Sequence, residues 1–140
     1  MSIPEPPAQP AAPVPENRRQ PFLPLLFGRQ HCLMGEMGVY GFMDRLSPRD
    51  YRGGLWTFYE RAGQPLYLAP TSKLRYRLQW EENGYEGEVS ADAAGIIATL
   101  FAFSHLSFQY QSEQLADGYD RLYQYAVAHP EAGEIFAAID

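Results

Sequence analysis

The chain has 140 residues, 46% of them hydrophobic and 14% aromatic, with a net charge of −6. That length makes one domain, able to bury roughly two-thirds of its extended-chain surface. The single cysteine, Cys32, excludes an internal disulfide and a multi-cysteine zinc site. No stretch of about 18 apolar residues is free of charge, so no transmembrane helix is expected. The Pro-rich start lacks the basic and apolar regions of a secretory signal. The expected compartment is the cytoplasm.

The net charge is unevenly spread. Residues 1–80 carry ten Lys/Arg and six Asp/Glu, whereas residues 81–140 carry eleven Asp/Glu and one base, Arg121. An acidic half argues against nucleic acid as its partner, because phosphates are repelled. The basic run Lys73, Arg75, Arg77 is too small to imply DNA binding.

Residues 1–21 hold seven of the twelve prolines and predict an extended, disordered tail. The domain is expected to span 22–140. PFLPLLFG reads as an apolar anchor on the core. A helix is predicted over 29–46, with Leu33, Met37, Tyr40 and Met43 at helical spacing. Gly35, Gly38 and Gly41 weaken it by about 1 kcal/mol each relative to Ala, unless close packing offsets the loss.

Strands follow at 55–60, 66–70, 73–80 and 85–90. In the third, Leu74, Tyr76, Leu78 and Trp80 alternate with Lys73, Arg75, Arg77 and Gln79, the mark of a half-buried strand. Asn83-Gly84 suits a hairpin turn. Glu86 and Glu88 share a face of the fourth strand and are expected opposite Arg75 and Arg77. Short connections predict one antiparallel meander of about four strands.

Ser90 is a good N-cap, and Asp92 sits at the positive end of the helix that begins at Ala91. From Ala91 to Phe103 the only polar side chains are Asp92 and Thr99. A helix apolar all round belongs in a core. Ala91, Ala94, Gly95, Ala98 and Ala102 form a small stripe on which a neighbour can dock, leaving the large residues to the sheet. An amphipathic helix follows, with Leu115, Tyr119, Leu122 and Ala126 inside and Asp117 and Asp120 outside. A short last helix buries Ile135, Phe136 and Ile139. The predicted fold is α+β: the meander packed with an N-terminal helix and three C-terminal helices, around the one buried helix.

Catalytic signals are sparse. His31 and Cys32 are adjacent and cannot easily pair, so Cys32 reads as a small buried hydrophobe. His105 reads as a hydrogen-bonded packing residue and His129 as a helix-boundary cap. The three histidines show no metal spacing, and neither a phosphate-binding glycine loop nor a nucleophile elbow is present. Glu86 and Glu88 resemble a hydrolase carboxylate pair only in sharing a face. No cofactor and no catalytic residue is expected.

The blocks FLPLLFG, GGLWTFYE, LYLAP, YEGEVSADAAGIIATLFAFSHL and HPEAGEIFAAID, in this order and spacing, resemble the antirestriction protein family of the KlcA/ArdB type, most closely its plasmid KlcA branch. The resemblance runs from about Phe22 to Asp140. It implies an α+β protein, not known as an enzyme, that protects incoming unmodified DNA from the host's type I restriction-modification systems. The implied partner is the restriction complex or a host factor controlling it, met through a protein–protein surface. A monomer is expected, without membrane or direct nucleic-acid binding.

Two other mechanisms compete with that contact: imitation of DNA by the acidic half, and hydrolysis using Glu86 and Glu88. A plasmid-maintenance protein with no restriction role is a third alternative. If an acidic surface meets the partner, its residues are Glu86, Glu88, Asp92, Asp117 and Asp120.

Overall fold

The computed structural model describes residues 10–140. The element order is β1 (Ala12–Pro13), a 3-10 turn at Glu16–Arg18, α1 (Phe22–Phe27), α2 (Cys32–Leu46), β2 (Trp56–Arg61), β3 (Gln64–Pro70), β4 (Arg75–Trp80), β5 (Tyr85–Ser90), α3 (Ala91–Tyr110), α4 (Glu113–Val127) and α5 (Ala132–Ile139). The α+β class holds, and the predicted helices and strands fall within a few residues of their expected places.

α3 is the centre of the fold. Eleven of its twenty residues are buried, and α2, α4, α5 and β3 all pack on it. By length and composition it could cross a membrane, but 61% of its most apolar stretch lies inside the protein. The Ser90 hydroxyl caps it, accepting from the Ala93 N–H at 3.1 Å. This satisfies one of the otherwise unpaired donors of the first turn.

The expected meander is instead two sheets: β1-β2-β3, and the hairpin β4-β5. The break has a physical cause. Where β3 would accept a further strand, α3 occupies its edge. The Leu68 N–H donates to Thr99 Oγ1 at 3.3 Å, and the Thr99 hydroxyl lies 3.4 Å from the Leu68 carbonyl. Gly95, one turn earlier, allows this approach, since a Cβ there would collide with the Leu68 carbonyl and Ala69. The chain then leaves the sheet through exposed residues 71–75, tied back by the Thr71 N–H to the Leu55 carbonyl at 3.1 Å. Leu74, expected on the buried face of its strand, precedes β4 and is exposed.

The small stripe of α3 is therefore shared. Gly95 receives the backbone of β3, while Ala102 faces Gly38 of α2. Among the large residues, Phe101 meets Trp80 of β4 with ring centroids 4.5 Å apart. The inner face of α2 differs from expectation only in part: Met43 is buried and Tyr40 packs against the core as the spacing predicts. Gly35, Val39, Met43 and Leu46 are buried, and Leu33 and Met37 point to solvent. Gly35 explains the difference: the Phe27 ring occupies the space a side chain there would need.

Part of the expected N-terminal tail is built into the fold. Ala12 and Pro13 pair with Glu60 and Tyr59, and the Val14 N–H donates to the Phe58 carbonyl at 2.8 Å. Phe22 stacks on Phe58 at 4.5 Å, and the Arg19 guanidinium lies 4.2 Å from the centre of that same ring. The expectation for residues 1–9 lies outside the described residues.

Candidate functional site

The five acidic residues expected to form a contact surface occupy three separate places. Glu86 and Glu88 stand on the open face of β5, opposite Gln79 and Arg77. Only Glu88 finds an arginine, Arg75 at 3.6 Å, so the expected two-pair ladder is not formed. Asp117 and Asp120 lie exposed on α4, which packs on α3, α1 and β3.

Asp92 is engaged internally. Its carboxylate accepts from the Tyr67 hydroxyl at 2.5 Å and lies 2.8 Å from His129 Nε2. His129 Nδ1 accepts the Glu131 N–H at 2.9 Å, which places the ring proton of the neutral imidazole on Nε2, facing Asp92. The Glu131 carboxylate accepts the Ser90 N–H at 2.9 Å and the Ser90 hydroxyl. The corner between α4 and α5 is thus latched to the start of α3. His129 stands between Ala128, the C-cap of α4, and Glu131, the N-cap of α5, and its bond to Asp92 escapes sequence reasoning because 37 residues separate them.

Arg77 makes a second unforeseen cluster. Its side chain turns to Asp50, donating from Nε at 3.0 Å and from Nη2 at 2.8 Å, and its backbone N–H donates to the same carboxylate at 2.8 Å. Lys73 adds a contact at 3.3 Å. Hydrogen bonds from the Arg77 side chain and backbone hold the Asp50 carboxyl well below the usual carboxylate range. The Ser47 hydroxyl donates to the Arg77 carbonyl at 2.8 Å, so the outer edge of β4 is sealed here.

Cys32 is half-buried at the start of α2, packed against the core with its thiol 3.5 Å from the Arg29 carbonyl, so the expected burial is partial. His31 stacks on Tyr110 at 4.5 Å. His105 is exposed, edge-on to Phe42, and is not hydrogen-bonded inside the core. Among the described residues, no three His, Cys, Asp or Glu side chains cluster as a metal site.

The most distinctive surface is apolar. Phe42, Arg45, Trp80, Phe101, His105 and Phe108 line an open groove of about 390 Å³ between α2, α3 and the end of β4. Phe42 stacks on Phe101 at 5.4 Å, and the Arg45 guanidinium lies 4.3 Å from the Trp80 ring. Phe108 is 93% exposed, and Met34 and Met37 extend the apolar surface along α2.

The fold defines a small α+β protein built around a buried central helix. The antirestriction protein family model matches residues 49–140. An antirestriction protein KlcA of Escherichia coli is 41% identical over 131 residues, covering 91% of this chain and 92% of its own. YafX of Escherichia coli strain K12, an uncharacterised protein, is 35% identical over 91% of this chain and 86% of its own. A solved structure aligns over 100% of both chains with a TM-score of 0.84 and 41% identity. It is described as showing that KlcA and ArdB have a novel fold and antirestriction activity against type I DNA restriction systems in vivo but not in vitro. The chain belongs to the antirestriction protein family.

Proposed function

We propose that this protein relieves type I restriction in the cytoplasm of its host, so that incoming unmodified DNA survives, and that it does so by contacting a protein. Of the two expected targets, the restriction complex itself and a host factor that controls it, the host factor is the one this reading favours. The observation that carries this reading is the behaviour of the solved KlcA and ArdB relatives, active in vivo but not in vitro. A direct nuclease inhibitor works on the purified enzyme. A protein that acts through a further cellular component does not.

The same observation weighs against DNA mimicry, which needs only the nuclease. The distribution of charge supports this. Duplex DNA presents one phosphate per roughly 1.7 Å of axis, whereas Asp92 is tied to Tyr67 and His129, Glu88 is paired with Arg75, and Asp117 and Asp120 lie on another element. Glu86 and Glu88 on an open sheet face, one beside an arginine, have the arrangement of a solvated surface and not of a paired-acid centre.

The test is charge reversal of Glu86, Glu88, Asp117 and Asp120 to Lys together. The fold is checked by circular dichroism, and the variant is assayed in a type I restricting host. Rescue of unmodified phage equal to wild type is expected. Loss of rescue with the fold intact would restore the acidic surface as the active one.

A further inference from the structure

We infer that the groove between α2 and the C-terminal half of α3 is the partner-binding surface, and that its occupant is an amphipathic helix with an apolar face and basic flanks. The inference rests on the reading that the protein acts through protein–protein contact.

Phe108 carries the first part of the argument. It lies near the end of a helix whose other large apolar residues are mostly buried, yet it is 93% exposed. Beside it the rings of Phe42, Phe101 and Trp80 form a continuous aromatic wall. Beside the groove, Met34, Met37 and Gly41 share the solvent face of α2 at i, i+3, i+7 spacing, and the Tyr110 hydroxyl at the end of α3 donates to Met34 Sδ at 3.2 Å. Met34 and Met37 are 44% and 63% exposed, and Gly41 has open space where a Cβ would stand. A contiguous apolar face on a small domain marks an interaction site.

The shape favours a helix. Two packed helices leave a channel between their ridges, and a third helix packs its own ridge there. Gly41 leaves the adjoining face of α2 without a side chain, and methionine adapts to the side chains it meets.

Charge selects the occupant. The rim carries Glu82, with Glu81 beside it past Trp80, against the single base Arg45, which is already 3.6 Å from Glu82. This rim repels nucleic-acid phosphates. It also sets like charges against each other if a second copy docks by the same face. Lys or Arg flanking an apolar stripe satisfies both wall and rim.

The experiment has two arms. In the first, Phe108→Ser and Met37→Glu are assayed for rescue of unmodified phage in a type I restricting host. Both side chains are exposed, so melting temperatures should match wild type while rescue falls by about tenfold or more. In the second, a synthetic helical peptide with a leucine face and lysine flanks is titrated into the wild-type protein. The methyl signals of Met34 and Met37 should shift, and the Phe108→Ser variant should bind about tenfold more weakly or worse. The same peptide with glutamate flanks should bind weakly.

Full rescue by both folded variants overturns the inference and leaves the functional reading standing. Equal binding of the glutamate-flanked peptide, or preference for a single-stranded oligonucleotide, overturns the assigned occupant. A wild type that gives no rescue overturns the functional reading itself, and the peptide arm still decides what the groove takes.

Discussion

Gly95 of α3 lies directly against the carbonyl of Leu68 in β3, and this contact organises the molecule. It lets Thr99 occupy the strand edge, which ends the first sheet at β3 and sends the chain away to form a separate hairpin. The central helix serves as the fourth neighbour of the sheet.

Gly95→Ala should therefore destabilise the protein. Alanine in a helix interior normally gains about 1 kcal/mol over glycine. Here the added methyl meets backbone, and overpacking of this kind costs about 1–3 kcal/mol. Denaturant unfolding should show a lower midpoint than wild type. A higher midpoint would mean that the helix stands further from β3.

Thr99→Val keeps the shape and removes the hydroxyl. It leaves the N–H and C=O of Leu68 buried without their partner, at a cost of about 1–3 kcal/mol. Thr99→Ser should recover most of that loss. Equal stability of the Val and Ser variants would show that the bond contributes nothing.

Much of this architecture is legible in the chain. Ser90 as cap and the apolar length of α3, with the alternation of β4, place two elements by local chemistry alone. The two-sheet break is not legible, because a strand edge closed by a helix hydroxyl leaves no periodicity. Gly35 misleads for a related reason: its burial under Phe27 turns Leu33 and Met37 outward, against their hydrophobicity. The Asp50–Arg77 and Asp92–His129 pairs join residues 27 and 37 apart, beyond the reach of any spacing rule. The exposed groove is hidden likewise, since Phe42, Trp80 and Phe101 read as ordinary core aromatics.

Asp50 sets an acid-side prediction. Its folded carboxyl titrates well below the ordinary value, so below about pH 4 the unfolded chain takes up a proton that the folded chain refuses. The contribution of this residue is present above that pH and is lost as pH falls toward the folded value. Wild type should lose melting temperature more steeply than Asp50→Asn on acidification from about pH 4. Parallel curves would show that the Arg77 clamp does not couple to folding.

The tyrosines set an alkaline one. Burial, and then the bond to Asp92, push Tyr67 up, while burial and Glu134 push Tyr85 up. Tyr40 is pushed up to about 12 by burial and Glu36. Each contributes stability that is complete below about pH 10 and declines above it, as the unfolded chain ionises first. Spectrophotometric titration should therefore leave Tyr67 and Tyr85 protonated until the chain unfolds. Ionisation of all ten tyrosines with native circular dichroism would contradict their burial.

The most direct measurement of the central claim is the plating efficiency of unmodified phage on a type I restricting host, with and without the protein, alongside cleavage of the same DNA by the purified restriction enzyme. The account predicts a large rise in plating and undiminished cleavage in the purified reaction. Equal plating with and without the protein would contradict antirestriction. Inhibition of the purified enzyme would contradict the dependence on a further cellular partner.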